Sequence, residues 1–320
     1  MKYSIITPVY NRADCISRCI ESVVRNEKRK DEYEIEHIIV DDGSSDDTVK
    51  IVSSYAKRYD WIKFIPFAHN RGTNAARNAA ISVATGDFSI ILDSDDYFVD
   101  NALEIIYQIM KVNPHYGHYA FAADDMMDYY NSHSLLKDFQ RELSFKDFLV
   151  RQIGGDFIHV IKTSTLKKFP FDEELRIFEG IFFLKFYKEA KKILFSKNVV
   201  TIRERNRADS VTKEVLLTNK TAIDKNFKAV SLRIKWFSDD YQKFGLRDSL
   251  ARLYQKKIEC ALLLGRYSCI SDDVYSQYNN GKGKSIFYKF IYVFRLGFIY
   301  RVIRNSLVLL KYNILKKKIR

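Results

Sequence analysis

The stretch Phe88-Ser-Ile-Ile-Leu-Asp-Ser-Asp-Asp-Tyr-Phe98 decides how the rest of the chain is read. Its apolar run, Phe88, Ile90, Ile91 and Leu92, opens after Gly86-Asp87 and stops at three carboxylates, the pattern of a buried strand that ends in a charged loop. In open α/β sheets the ligand crevice lies beyond the carboxyl ends of the strands. Asp93, Asp95 and Asp96 repel one another at this spacing unless a cation sits among them, and an oxygen-only set suits Mg²⁺ or Mn²⁺. A metal site that holds a phosphorylated ligand is therefore expected. An acidic turn capping the helix that starts near Asp100 is the alternative, and the flanking sequence decides between the two.

Towards the amino terminus the same unit recurs. Lys2 to Val9 reads as a strand and is followed by a loop, Pro8 to Arg12, and an amphipathic helix from about Ala13 to Arg25. Ile35 to Val40 is a second strand, running into Asp41-Asp42-Gly43-Ser44-Ser45 and a helix to about Tyr59. Trp61 to Pro66 is a third, followed by an alanine-rich helix from Asn70 to Ala84. Such alternation implies a mostly parallel sheet with right-handed crossovers and helices on both faces. Parallel strands bring the polar loops at Thr7–Asn11, Asp41–Asp42, Asn70–Arg71 and Asp93–Asp96 to one rim, which describes a binding site. No glycine-rich phosphate loop occurs, so a metal must carry the phosphate charge.

With those residues in place, the first ~100 positions resemble the nucleotide-binding half of family 2 glycosyltransferases, which have the GT-A fold, in their non-processive bacterial form. The matching motifs are Thr7-Pro-Val-Tyr-Asn-Arg12, Val40-Asp-Asp-Gly-Ser-Ser-Asp-Asp-Thr48, Asn70-Arg-Gly with Arg77-Asn78, and Leu92-Asp-Ser-Asp-Asp96. The resemblance implies a nucleoside-diphosphate sugar donor, a UDP-sugar in the first instance, held by Thr7, Pro8, Tyr10, Asn11, Asp42, Asn70, Arg77 and Asp93. The Tyr10 segment and Asp42 would contact the base and Arg77 the ribose or phosphates, while Asp95 and Asp96 would place Mn²⁺ or Mg²⁺ on the diphosphate. It further implies inversion at the anomeric carbon and a glycan or polyprenyl-diphosphate-linked acceptor in surface polysaccharide synthesis.

Beyond residue 100 the reading is coarser. A helix near Asn101 to Val112 and a strand at His118 to Ala123 lead to Asp124-Asp125, and Met126 to Lys137, with no clear period, reads as an acceptor-facing loop. Family members typically carry Glu-Asp at the start of a later helix, a carboxylate there serving as catalytic base. Here the pair is Glu179-Gly180, so either Glu179 takes the role alone or the base lies elsewhere, with Asp124, Asp125 and Asp156 as alternatives.

The formal charge of +13 is unevenly placed. After Asp273 there are 11 lysines and arginines and no acid, which leaves the rest of the chain near neutral. This tail alternates bases with aromatic and aliphatic residues, and its uncharged runs fall far short of the ~20 residues that span a bilayer. At ~100° per residue, Lys289, Arg301, Arg304 and Lys311 fall on one arc, with Arg295 the exception, the geometry of a helix lying on an anionic membrane surface; an ordinary amphipathic helix packed on the body is the alternative. Acidic loops on the sheet rim argue against nucleic acid as partner, although a non-catalytic membrane-surface or nucleic-acid-binding protein is the alternative reading of the tail. The four cysteines form no C-x-x-C pair and the chain opens directly on a strand, so a cytoplasmic location, peripheral on the inner face of the cell membrane, is expected. The expected organisation is a transferase domain at 1–210, nucleotide-binding over 1–100 and acceptor-binding over 101–210, a helical extension at 211–273, and a membrane-associating tail at 274–320.

Overall fold

The computed structural model describes residues 1–27, 32–150, 153, 156–204, 219–270 and 284–318. The chain divides into two compact units, Met1–Arg207 and Ala208–Arg320. The expected boundaries at 210 and 273 fall outside the described residues.

In the first unit, β1 (Lys2–Val9), α1 (Ile16–Asn26), β2 (Glu34–Asp41), α2 (Thr48–Arg58), β3 (Ile62–Pro66), α3 (Thr73–Val83) and β4 (Phe88–Ile91) follow the strand, loop, helix alternation. All pairings among these four strands are parallel, and the registers place Val9 opposite Asp41 and Ile6 opposite Ile91. The carboxyl ends of β1, β2 and β4 therefore share one edge. Tyr3 to Val9 is buried throughout, as a strand covered on both faces requires. One cover is the face of α1 carrying Ile16, Cys19, Ile20 and Val23, at helical spacing. On α3, Ala75, Ala76 and Ala80 are buried, small residues that let the helix lie close to the sheet.

At the opposite edge Glu36, 2 % exposed, accepts hydrogen bonds from Ser4 Oγ at 2.6 Å, Lys63 Nζ at 2.6 Å and the Thr85 N–H at 2.6 Å. Burial raises its carboxyl, but these donors and Lys2 outweigh it and hold Glu36 down at about 2.

The remaining elements of this unit are β5 (Tyr97–Phe98), α4 (Ala102–Val112), β6 (His118–Ala123), α5 (Met127–Ser132), β7 (Gln140–Ser144), α6 (Phe145–Leu149), β8 (Ile158–Lys162), α7 (Thr163–Lys168), α8 (Gly180–Ala190) and β9 (Lys192–Ile202). The sheet runs β3-β2-β1-β4-β8-β6-β9-β5, with β7 beside β9. Here it turns mixed, because β8 is antiparallel to β4 and β6, and β5 and β7 are antiparallel to β9. The segment expected as a loop at Met126 to Lys137 contains α5, whose Tyr130 is fully buried and stacks on Phe157 at 5.6 Å.

The second unit contains α9 (Lys220–Lys243), α10 (Arg247–Leu264), α11 (Lys284–Val293) and α12 (Gly297–Lys318). Asn219 caps α9 by accepting the Ala222 N–H at 2.6 Å. The tail is thus two helices where one was expected, and the break falls at Arg295, which takes a φ of 56°.

Candidate functional site

Four loops meet at the carboxyl edge of the parallel strands. The loop after β1 is fastened to the loop after β2: Asn11 N–H donates to Ser44 Oγ at 2.8 Å, and Asn11 Oδ1 accepts the Ser45 N–H at 2.9 Å. Gly43, at φ 75°, lets the second loop press against the third, since a Cβ there would lie 2.7 Å from the His69 carbonyl carbon. Tyr10 stands exposed at this edge, as does Asn70, while Pro8 is buried within β1. Thr7 is buried too, its hydroxyl 2.8 Å from His37 Nε2.

The two aspartates that end β2 hold different parts of the rim. Asp42, assigned above to the nucleotide base, also anchors the turn into α3: Oδ1 accepts the Arg71 N–H at 2.6 Å and Oδ2 the Gly72 N–H at 2.9 Å, and each oxygen keeps further acceptor capacity. Asp41 Oδ2 accepts the Gly43 and Ser44 N–H groups at 3.1 and 2.9 Å, whereas its buried Oδ1 has no hydrogen-bond partner among the described residues. A buried acceptor without a donor is costly, and Asp41, 0 % exposed, carries that cost inside the packed end of β2.

Arg77 on α3 joins the third loop to the fourth and to α8. Its Nη2 donates to Asp93 Oδ1 at 3.1 Å, and its Nη1 donates to Glu179 Oε1 at 3.2 Å and Asn74 Oδ1 at 3.2 Å. Its side chain is 14 % exposed and that of Glu179 19 %, so the pair is shielded from screening. Glu179 is held at the amino end of α8 by the segment before it, which α3 grips directly. Asn78 Nδ2 donates to the Phe171 carbonyl at 2.8 Å and its Oδ1 accepts the Phe171 N–H at 2.9 Å, while Asn74 Nδ2 donates to the Asp172 carbonyl at 2.9 Å.

The acidic loop is braced from behind by α1. Arg18 Nη2 donates to the Asp95 carbonyl at 3.1 Å and to Glu204 Oε2 at 2.9 Å, its guanidinium lying 4.6 Å from the Tyr97 ring centroid. The thiols of Cys15 and Cys19 approach the carbonyls of Ser94 and Asp93 at 3.7 and 3.8 Å. Burial pushes the Cys19 thiol up, so it is a packing group. The Glu204 N–H donates to Asp96 Oδ1 at 3.1 Å, so the residue just past β9 crosses the same loop.

Burial, with the charges of Asp93 and Asp95, pushes Asp96 up to about 8. That crowding is what a cation would relieve. Among the described residues no group of three or more histidine, cysteine or acidic side chains is arranged to hold a metal ion. Two carboxylates suit a hard cation whose other ligands come from substrate phosphates and water, so Asp95 and Asp96 fit Mg²⁺ or Mn²⁺ on that condition.

The alternative bases gather elsewhere. Asp125 accepts from Arg203 Nε at 3.1 Å and Nη2 at 3.0 Å, Asp156 accepts from Nη1 at 2.9 Å, and Asp124 accepts the Arg203 N–H at 3.0 Å. All three are fastened to one arginine, and Glu179 is the candidate base that Arg77 ties to the acidic loop. Sequence reasoning placed Asp41 and Asp42 together on the rim and missed Arg203 and Arg18, whose partners lie far along the chain.

Comparison with known proteins shows the family and the fold. The family model described as Glycosyl transferase family 2 matches residues 4–173. A GalNAc(5)-diNAcBac-PP-undecaprenol beta-1,3-glucosyltransferase of Campylobacter jejuni is 34 % identical over 218 residues, covering 66 % of this chain and 67 % of that protein. Among solved structures, S. aureus TarS 1-349 in complex with UDP-GlcNAc is 20 % identical with a TM-score of 0.63, over 90 % of this chain and 81 % of that one. A mannosyltransferase from Pyrobaculum calidifontis in complex with GDP-Man and Mn²⁺ is 16 % identical with a TM-score of 0.56, over 95 % and 86 %.

Proposed function

The chain belongs to glycosyltransferase family 2, and from that premise we propose that this glycosyltransferase moves a sugar, with inversion, from a nucleoside diphosphate to a hydroxyl of a glycan or polyprenyl-diphosphate-linked acceptor. The observation that carries this reading is the Arg77 junction, where the candidate base Glu179 and the acidic-loop residue Asp93 share one guanidinium. The donor is a UDP-sugar, in keeping with the UDP-GlcNAc held by S. aureus TarS. Asp42 and the segment of exposed Tyr10 contact the base, a carboxylate oxygen accepting its imide N–H.

Glu179 takes the proton of the acceptor hydroxyl as its oxygen attacks the anomeric carbon. The new glycosidic C–O bond forms as the bond from that carbon to the diphosphate oxygen breaks, and the nucleoside diphosphate leaves with the electron pair. A divalent cation held by Asp95 and Asp96 would neutralise charge on the leaving diphosphate. Arg77 has two tasks in sequence: it restrains Glu179 in the free enzyme, and it turns towards the phosphates when the donor arrives, which releases the carboxylate. The acceptor is lipid-linked, as the name of the Campylobacter relative states for that protein, and the chain works at the inner membrane face with its basic tail against anionic lipid.

A panel of sugar nucleotides, each incubated with the purified protein with and without Mn²⁺, tests the reading. Metal-stimulated release of UDP from one or a few UDP-sugars is expected. Release from none of the panel, or release indifferent to metal, would overturn it.

A further inference from the structure

The tail of the chain is amphipathic, and the structure shows which way round it sits within the second unit. Arg301 Nη1 donates to the Leu263 carbonyl of α10 at 3.3 Å, and Arg304 Nε lies 3.3 Å from Glu259 Oε1 on the same helix, both side chains of that pair being 17 % exposed. Arg295, at the break between α11 and α12, places its guanidinium 4.7 Å from the Tyr267 ring centroid. Two of the four bases on the arc expected to face lipid are therefore engaged inside the unit.

The apolar residues divide into two sets. Tyr288 and Ile291 are buried against Ile258, Ala261, Leu262 and Ile270. The break that allows this is built in: the Gly297 N–H donates to Tyr267 Oη at 3.0 Å, and any Cβ at Gly297 would collide with the Leu262 carbonyl. With that seam already filled, a second row points away from it. Phe290, Phe294, Phe298, Val302, Ile303 and Leu307 are each half exposed or more, Phe298 reaching 66 %. Ten of the sixteen exposed large apolar side chains among the described residues lie between Phe287 and Leu310. A soluble surface does not ordinarily collect them in one stretch.

Charge decides what covers this row. The segment from residue 274 onward carries 11 bases and no acid, and exposed Lys289 lies beside the row. A second copy would bring two such segments together, whereas an anionic bilayer surface supplies both the apolar layer and the opposite charge. Among the described residues no helix is long and apolar enough to cross a membrane, so the contact is with the interface.

We propose that the outward row of α11 and α12, centred on Phe290, Phe294 and Phe298, inserts into the headgroup layer of an anionic membrane. Arg301 and Arg304 fix the helices to α10, and the remaining bases meet the lipid charge. The inference rests on the membrane reading given above and adds which side chains enter the lipid.

The test uses the full chain with phosphatidylcholine vesicles, with and without phosphatidylglycerol. Wild-type protein is expected to sediment with the anionic vesicles and to be released as salt is raised well above physiological strength. The triple variant Phe290→Ser, Phe294→Ser, Phe298→Ser should bind about tenfold more weakly or worse, with its melting temperature and sugar-nucleotide hydrolysis unchanged. A separate Phe294→Trp variant should shift its emission to the blue when anionic vesicles are added. Wild-type binding that the triple variant retains, without a shift at position 294, would overturn the assignment of the face and leave the membrane reading standing. No binding by wild type, with a dimer that the triple variant dissociates, would overturn both in favour of a second copy.

Discussion

Arg77 donates to Glu179 Oε1 at 3.2 Å, so the candidate base is held by a charge on the other side of the site. The same guanidinium reaches Asp93 in the acidic loop at 3.1 Å. One residue of the Arg77-Asn78 motif thus links the acidic loop to the start of α8, and its neighbour Asn78 grips Phe171, earlier on the segment that leads to Glu179.

The acidic loop should be essential for turnover and dispensable for folding. Asp95→Asn or Asp96→Asn is expected to lower metal-stimulated transfer by about a hundredfold or more. The Asp96 variant should melt no lower than wild type, because Asn keeps the acceptor for the Glu204 N–H and removes a carboxyl that burial and its neighbours already push up. Thermal melts and Mn²⁺-dependent rates measured side by side check this, and near wild-type turnover in limiting Mn²⁺ would refute it.

Asn78 is expected to act by position. Asn78→Asp keeps the acceptor for the Phe171 N–H but loses the donor to the Phe171 carbonyl, a change on the order of 1–2 kcal/mol. Turnover should fall by about tenfold as Glu179 shifts, with donor affinity unchanged. Equal losses in donor affinity and turnover would mean that Asn78 supports the nucleotide site instead.

Two buried histidines, His37 and His118, and the half-buried His159 set an acid limit on stability. Burial lowers His37 and His159 to about 3, and burial together with His159 lowers His118 well below its ordinary value. His118 Nε2 lies 3.0 Å from His159 Nδ1, a pair that admits only one shared proton while both rings are neutral. Because the folded chain resists protonation that the unfolded chain accepts, the contribution of His37 and His159 is complete above pH ~6.5 and is lost towards pH ~3, at about 1.4 kcal/mol per pH unit for each, while Asp96, pushed up to about 8, works in the opposite sense between pH ~8 and pH ~4 and offsets one of them. Glu36, held at about 2, adds a loss that begins only below pH ~4.5. Melting temperatures taken downward from pH ~6.5 should fall, more steeply below pH ~4 where the Asp96 offset ends and Glu36 joins, and His37→Asn should make the slope shallower. A melting temperature level down to pH ~5 would contradict the neutral state of these rings.

How much of this was open to sequence reading depends on the distance between partners. The strands β1 to β4 announce themselves as apolar runs ending in polar loops, and the four loops named from sequence do meet. The strand β9 escaped because Ser196-Lys197-Asn198 interrupts its apolar residues, where the register against β6 also shifts between Phe121 and Ala123. The strands β5 and β7 are too short or too exposed to carry a pattern. Arg18 and Arg203 look like ordinary surface bases until the fold brings Glu204 and Asp125 to them. The alternation in the tail was plain, but which face turns inward depended on Glu259 and the carbonyl of Leu263, both on another helix.

Gly180 offers a way to move the base. Among the described residues nothing lies within 4 Å of a Cβ built at this position, so Gly180→Asp should fold normally and place a carboxylate at the first turn of α8. In a Glu179→Gln background it is expected to restore part of the lost turnover, at least several-fold, read as kcat at saturating donor. No recovery, in a double variant that melts like wild type, would show that a carboxylate one residue on cannot serve.

The most direct test of the account is the donor dissociation constant and the transfer rate of Glu179→Gln, measured against wild type and Asp125→Asn under the same conditions. A base that does not hold the nucleotide leaves donor affinity nearly unchanged while its loss lowers turnover by ~10²-fold or more. That combination is expected for Glu179→Gln, with Asp125→Asn keeping much of its activity. Full activity in Glu179→Gln, with turnover lost in Asp125→Asn instead, would contradict the account and move the base to the carboxylates gathered on Arg203.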